Sequence, residues 1–399
     1  MNISIRNRVM MLVIVTIIIT VTSTRMNADT GVCGGASFTL PFTDVPSSNI
    51  FFCSIAEAFF SGLTNGTTPT TYSPGDPVSR DQMAALISRT MDQSVKRTSR
   101  RAALDQFWTT QTENNLGLTH GVQAQWLLKS DGTDLWVATG SSHSVARVRA
   151  SDGQLLGTWT GAQQAYGVLA AMGKVFVTGI ADPGRLYQID PTTSAGTVTT
   201  LTMGLGGGPR GIAFDGQRIW TANANGASGS VSIISLNPIT VSNVSEAGSP
   251  AGIVFDGQNI WITDGNNKAL RKLDSNAQVL LSVTVGNTPG LPVFDGTNIW
   301  VPNHSDNSVS VVRAMGALSG TVLATLTGNG LDTPYQIAFD GERILVTNPH
   351  GQCVSVWKAS DLTPIGTFST GADTTPIGVC SDGLNFWITL QGTGDLARF

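Results

Sequence analysis

The sequence predicts a mainly β fold, a seven-bladed β-propeller with a small helical module ahead of it. Three observations carry this. A phrase of the form Asp-Gly-x-x-Ile-Trp recurs about every forty residues, the length of a four-stranded blade. Each copy separates two short stretches rich in β-branched and aromatic residues, the pattern of a hairpin. Only 13% of the 399 residues are charged while 45 are glycine, a balance that suits a turn-rich chain with little helix.

The copies are Asp131-Gly-Thr-Asp-Leu-Trp136, Asp215-Gly-Gln-Arg-Ile-Trp220, Asp256-Gly-Gln-Asn-Ile-Trp261 and Asp295-Gly-Thr-Asn-Ile-Trp300. Asp340-Gly-Glu-Arg-Ile-Leu345 and Asp382-Gly-Leu-Asn-Phe-Trp387 are variants, and Met172-Gly-Lys-Val-Phe176 is a degenerate copy. Seven motif glycines, Gly132, Gly173, Gly216, Gly257, Gly296, Gly341 and Gly383, imply seven blades over residues 106–399. In the third unit the strands read as Gly211–Phe214, Arg218–Asn223, Ser230–Ser235 and Thr240–Val244. Both faces of the second strand are apolar or aromatic, as expected where each blade is covered on both sides, so the recurrent tryptophans are core residues. The last unit has no fourth strand after Asp395–Phe399. Phe107-Trp108-Thr109-Thr110 matches the outer-strand phrase Gly157-Thr-Trp-Thr160 and is expected to close the ring by completing that blade.

Ahead of the repeats, Arg6 and Arg8 precede an apolar run from Val9 to Val21, the pattern of a signal peptide over residues 1–28, with an uncleaved anchor as the alternative. Export makes disulfide pairing the default. Cys33 and Cys53 pair most simply with each other, and a bridge between Cys353 and Cys380 stays open. Residues 33–95 form a helical module. Ser48-Asn49 precedes a run in which Phe52, Ile55 and Phe59 share a face and Gly62 ends it; Ser79-Arg80-Asp81-Gln82 has capping-box spacing and opens a second helix. Lys96-Arg97-Thr98-Ser99-Arg100-Arg101 makes residues 96–105 a basic linker.

Within the module, Phe42-Thr-Asp44-Val45-Pro46, Gly62-Leu63-Thr64-Asn65-Gly66, Tyr72-Ser73-Pro74 and Val78-Ser79-Arg80-Asp81-Gln82 resemble one repeat of the S-layer homology (SLH) domain. That resemblance implies non-covalent attachment to cell-wall polysaccharide, with Arg80 meeting an acidic sugar and Asp44 at the family's acidic opening position. The family usually presents three repeats and a Thr-Arg motif; here there is one repeat, and the threonine is Ser79. The endings Trp220 to Asn223, Trp261 to Asp264 and Trp300 to Asn303 resemble propellers of the YVTN and NHL type, including the virginiamycin B lyase-like group.

The chemistry is less legible. A net charge of -4 lacks the basic field of a nucleic-acid binder, and no reader motif replaces it. No hydrolase elbow, zinc-protease helix, phosphate loop or calcium loop is present, and no metal or cofactor is implied. The loops after the second strands carry Asn223, Asp264, Asn303 and Asn348, with His143, His304 and His350 in equivalent places and Arg210 in an adjoining loop. These are the candidates on the propeller face. The asparagines and aspartate also suit turn capping, and the imidazoles suit acid–base or metal chemistry. The leading expectation is a secreted or cell-surface binding protein. In that reading the propeller is a platform for a protein or carbohydrate ligand, and the SLH-like module is its wall anchor, with no membrane association after signal cleavage. The alternatives are a lyase or hydrolase acting at the histidine-bearing loops, and a structural surface-layer component.

Overall fold

The structure is a computed structural model; it describes residues 29–33, 36–60, 64, 66–79, 83, 117–225, 229–245 and 248–399. The chain divides into two compact units, Met1–Arg97 and Thr98–Phe399. Among the described residues no helix is long and apolar enough to cross a membrane.

The first unit pairs strands β1 (Asp29–Cys33) and β2 (Ala36–Leu40) as a hairpin against helix α1 (Phe52–Phe60). The sequence reading had the helix and not the hairpin. Phe52, Ile55 and Ala56 from the helix meet Leu40, Phe42 and Val45 in one core, with Phe59 packed against it. Gly31 is required there: a Cβ at this position would lie 2.4 Å from the Phe52 ring. Asn49 accepts the Phe51 N–H at 2.8 Å, capping the helix. Cys33 and Cys53 are disulfide-bonded, tying hairpin to helix. Of the second helix, the described part is the bond from Met83 N–H to the Ser79 carbonyl, a helical i to i−4 bond of 2.9 Å. The other residues of that helix, the basic run and the signal segment lie outside the described residues.

The second unit is a ring of seven four-stranded antiparallel sheets. Blade 1 is Leu128–Ser130, Asp134–Ala138, Ser144–Arg149 and Leu155–Thr160, and blade 2 runs from Ala165–Ala171 to Thr199–Leu205. Blade 3 is Pro209–Phe214, Ile219–Asn223, Ser230–Leu236 and Ile239–Ser245, each within two residues of the sequence reading. Blades 4, 5 and 6 begin at Pro250–Phe255, Val293–Phe294 and Ile337–Phe339. Blade 7 comprises Pro376–Ser381, Phe386–Leu390 and Asp395–Arg398. The innermost strands pack side by side in sequence order, and the last packs beside the first.

The ring closes differently from the expectation. Its final strand is Gly117–Thr119, pairing Gly117 with Arg398, Leu118 with Ala397 and Thr119 with Leu396. Phe107–Thr110 lies outside the described residues. The reason is reach: the closing strand must lead into Leu128 by a short connection, as every other outer strand leads into the next blade. Thr119 leaves only 120–127 to make that turn. His120 Nδ1 at 2.8 Å from Asp395 and Thr119 Oγ1 donating to Gly153 O at 2.8 Å fasten the seam.

One polar device repeats inside the blades. In six of them one carboxylate oxygen of the turn aspartate accepts two backbone N–H groups two and three residues on. In five of these the other oxygen accepts the indole N–H five residues on, at 2.7 Å each time, in Asp131–Trp136, Asp215–Trp220, Asp256–Trp261, Asp295–Trp300 and Asp382–Trp387. The indoles are at most 1% exposed. In blade 2 both members change: Phe176 faces Leu169, Ala171 stands at the aspartate position, and no indole needs an acceptor. Blade 6 keeps Asp340 beside Leu345, and Arg343 Nε takes the vacant oxygen at 2.8 Å.

Two tests follow from the pair. Asp256→Ala leaves a buried indole and two turn amides without their acceptor and should cost about 2 to 3 kcal/mol in denaturant unfolding. Adding Trp261→Phe should cost less than the sum of the single changes by about 1 kcal/mol or more, since Ala with Phe is what blade 2 uses. Burial alone would raise the Asp131 and Asp215 carboxyls, but the indole and turn N–H donors, with Arg147 and Arg218, outweigh it and hold both below the ordinary carboxylate value. A carboxyl depressed on folding stabilises above its unfolded pKa, and that stability is lost as pH falls through the folded one. Melting temperature should therefore be flat near neutrality and fall below about pH 4, with a shallower fall in Asp215→Asn.

Candidate functional site

Propeller blades expose two kinds of edge. The Asp-Gly turns gather on one face; the loops between second and third strands, and those leading into the next blade, gather on the other. On this loop face the innermost strands begin, and four of them carry a register irregularity at their first residues: Ala165/Val168, Pro209/Gly211, Pro250/Ile253 and Pro376/Val379. A bulge re-aims the side chain it carries. The residues at that repeat position are Trp126, Tyr166, Arg210, Ala251, Gly290, Tyr335 and Ile377, one per blade. They ring the mouth of the central channel.

Threonines hold the backbone of this ring in place. Thr263 Oγ1 accepts the Gly252 N–H and donates to the Gly290 carbonyl of the next blade, both at 2.8 Å. Thr389 ties to the Trp126 carbonyl and Thr347 to that of Ile377, each at 2.8 Å. The close approach needs glycine: a Cβ on Gly252 would lie 2.3 Å from Pro292 Cδ. Behind the ring lies a channel of about 300 Å³ walled by the innermost strands. The hydroxyls of Tyr166 in blade 2 and Tyr335 in blade 6 are hydrogen-bonded to each other across its mouth. Trp126 packs on Tyr166 at 4.7 Å between ring centroids, and Leu127 and Leu291 complete the closure. Burial, then Tyr335, pushes the Tyr166 phenol well above its ordinary pKa, with Arg210 acting in the opposite sense.

Of the candidates read from sequence, His304 and Arg210 meet this cluster. The His304 ring lies 6.5 Å from that of Tyr335, edge to face. Burial lowers the His304 pKa from its ordinary value, with the charge of Asp332 acting in the opposite sense. His350 Nδ1 sits 3.0 Å from Asp332 Oδ2. Arg210 lies on the blade 3 inner strand, Pro209–Phe214, and not in a loop as expected; its side chain is exposed. His143 accepts the Gln164 N–H at 3.1 Å, close to the Tyr166 strand.

Asn223, Asp264, Asn303 and Asn348 end their second strands and are at most 1% exposed. Asn223 Nδ2 donates to Ser230 and Ser232, Asn303 Nδ2 to Ser308 and Ser310, and Asn348 Nδ2 to Ser355. Asp264 accepts the Ser249 N–H at 3.1 Å and pairs with Arg271 at 2.9 Å. These side chains join neighbouring loops and do not reach solvent. In the first unit, Asp44 accepts the N–H groups of Tyr72 and Ser73 at 2.8 and 2.7 Å. Burial would raise its carboxyl, and these donors hold it below the ordinary value. Arg80 lies outside the described residues. Cys353 and Cys380 are both free and buried, so the second bridge is absent. Burial pushes the Cys380 thiol up to about 12 and raises that of Cys353, which keeps both protonated near neutrality.

Tyr166, Tyr335, Trp126 and Asp332 were not singled out from sequence. The chain has only four tyrosines, and two occupy the same repeat position, directly before Gly167 and Gln336. That coincidence was the available signal. With ring-labelled tyrosine, NMR titration should show Tyr166 ionising well above about 10. Tyr335→Phe should bring it part of the way down, because burial remains; an unchanged value would mean that the two hydroxyls are not paired.

No protein-family model and no curated protein sequence matches the chain. Solved structures do. The selenomethionine-substituted virginiamycin B lyase from Staphylococcus aureus is 16% identical, with 70% of this chain and 96% of that one covered, at a TM-score of 0.58. Kuenenia stuttgartiensis hydrazine synthase gives 16%, 70%, 96% and 0.59, and the WD40 β-propeller domain of Doa1 gives 13%, 71%, 94% and 0.56. At such identities the likeness shows the fold alone: a seven-bladed β-propeller resembling that of virginiamycin B lyase, in an architecture shared by enzymes and other proteins.

Proposed function

We propose that this chain is an exported binding protein, with the loop face of the propeller as its interaction platform and the first unit as an SLH-like anchor to cell-wall polysaccharide. The observation that carries the platform is the departure from repeat symmetry at the channel mouth. At the buried tryptophan position five blades hold Trp and the other two Phe176 and Leu345, all large and apolar. At the mouth the repeat position holds Trp126, Tyr166, Arg210 and Tyr335 beside Ala251, Gly290 and Ile377. Packing between equivalent blades does not require that variety, and a ligand seated off the ring axis would. The apolar run after Arg6 and Arg8 supports export, and the motifs around Asp44 and Arg80 support the anchor.

A second reading is enzymatic. It is favoured by the contact of Asp332 with His350 Nδ1, which would orient the ring and leave Nε2 as a base, and by the likeness to a lyase structure. In this reading substitution of His350 changes turnover and pH profile without abolishing ligand binding.

The anchor and the platform are separable by co-sedimentation with purified cell-wall sacculi. The intact chain should pellet, and Arg80→Ala and the isolated second unit should stay largely in the supernatant. Equal pelleting of all three would place wall binding outside the first unit, and no pelleting of any would remove it.

A further inference from the structure

The mouth of the channel is not evenly filled, and its asymmetry names a ligand. The joined hydroxyls of Tyr166 and Tyr335 run from blade 2 to blade 6 and divide the mouth in two. On the side of blades 7 and 1 the ring positions are Ile377 and Trp126, large residues that fill the space. On the side of blades 3, 4 and 5 they are Arg210, Ala251 and Gly290. Two of these three are the smallest side chains available, and the third is an exposed cation. This half is bordered by the Tyr335 ring with the half-buried His304 edge-on to it.

The donors around this half-mouth suit an anion. Among the described residues Arg210 has no salt-bridge partner, and it is the one charged residue of the ring. A guanidinium presents parallel N–H groups that match a carboxylate. The one tyrosine hydroxyl proton not spent in the Tyr166–Tyr335 bond can donate beside it, and Arg210 supplies one positive charge to the half-mouth. A single cation matches the one negative charge of a carboxylate better than a doubly charged phosphate. Ala251 keeps the floor low, with the Tyr335 carbonyl filling the place a Gly290 side chain would take, and the Tyr335 face is a wall on which the C–H face of a sugar can lie.

We propose that the half-mouth formed by Arg210, Ala251, Gly290, Tyr335 and His304 binds a carboxylate-bearing sugar residue, a uronate, with its carboxylate on Arg210 and its ring against Tyr335. The proposal rests on the binding-platform reading and narrows it to one ligand class.

The test is calorimetric titration of the full exported chain with trigalacturonate, neutral trigalactose and benzoate. Trigalacturonate should bind and trigalactose should not. Benzoate, a flat carboxylate without sugar hydroxyls, should bind more weakly. Arg210→Ala, an exposed change, should weaken trigalacturonate by about tenfold or more, with Arg210→Lys intermediate. Ala251→Leu fills the small side and should abolish binding while the melting curve stays cooperative; if that variant does not fold, Ala251→Val serves in its place. Unchanged trigalacturonate binding in Arg210→Ala, benzoate binding as tight as trigalacturonate, or no trigalacturonate binding would each overturn the uronate site. Binding of trigalactose that survives Arg210→Ala would overturn it too and leave the platform reading intact. Absence of all glycan and sacculus binding by the propeller would end both.

Discussion

A tryptophan placed where two blades meet must bury its indole N–H along with its rings, and that donor cannot be left without an acceptor. The turn aspartate meets this need from within its own hairpin, at the cost of burying a carboxylate. The carboxylate is in turn satisfied by two amides, and in blades 1, 3, 4 and 7 a cation lies over the indole at 5.0 to 5.8 Å: Arg147, Lys272 and Arg398 from the third strand, and Arg218 from the turn itself. Turn geometry, strand pairing and blade packing thus depend on one short polar contact repeated around the ring. In blade 2 both partners are missing, and in blade 6 Asp340 remains and bonds Arg343 in place of an indole.

This is why the architecture was legible from the amino-acid sequence. Asp-Gly and Trp stand at fixed separation because one hydrogen bond joins them, so the period of the phrase is the period of the fold. Met172-Gly-Lys-Val-Phe176 is recognisable as a degenerate copy by its glycine and the aromatic residue that follows. The closing strand was misread because Phe107-Trp108 resembles an outer strand in composition. What selects the true one, Gly117–Thr119, is the length of chain needed to enter blade 1. The hairpin Asp29–Leu40 went unread because five-residue strands around Gly34-Gly35 carry little periodic signal.

The candidate site was only partly legible. His304 and His350 stood out as imidazoles in equivalent loops; His304 lies edge-on to Tyr335, and His350 contacts Asp332. Asn223, Asp264, Asn303 and Asn348 stood out as recurring polar residues, but recurrence in four blades marks the scaffold, and their side chains are spent on serines of the next strand, loop amides and Arg271. The residues that make the mouth particular, Tyr166, Arg210 and Tyr335, are the ones that break the repeat. Their equivalence appears only once strand register aligns the first residue of each inner strand, because the bulges there hide it from simple counting.

The seam between Gly117–Thr119 and Asp395–Arg398 has a consequence for how the chain reaches this state. Six blades are built from neighbouring hairpins and can form in the order in which they are synthesised. The seventh joins segments at opposite ends of the ring, a contact of very long sequence separation. Until Asp395–Arg398 is available, the nascent protein is an open arc with bare strands at both limits, prone to pair with another molecule. A chaperone or export factor that shields those two edges would act on a three-residue strand.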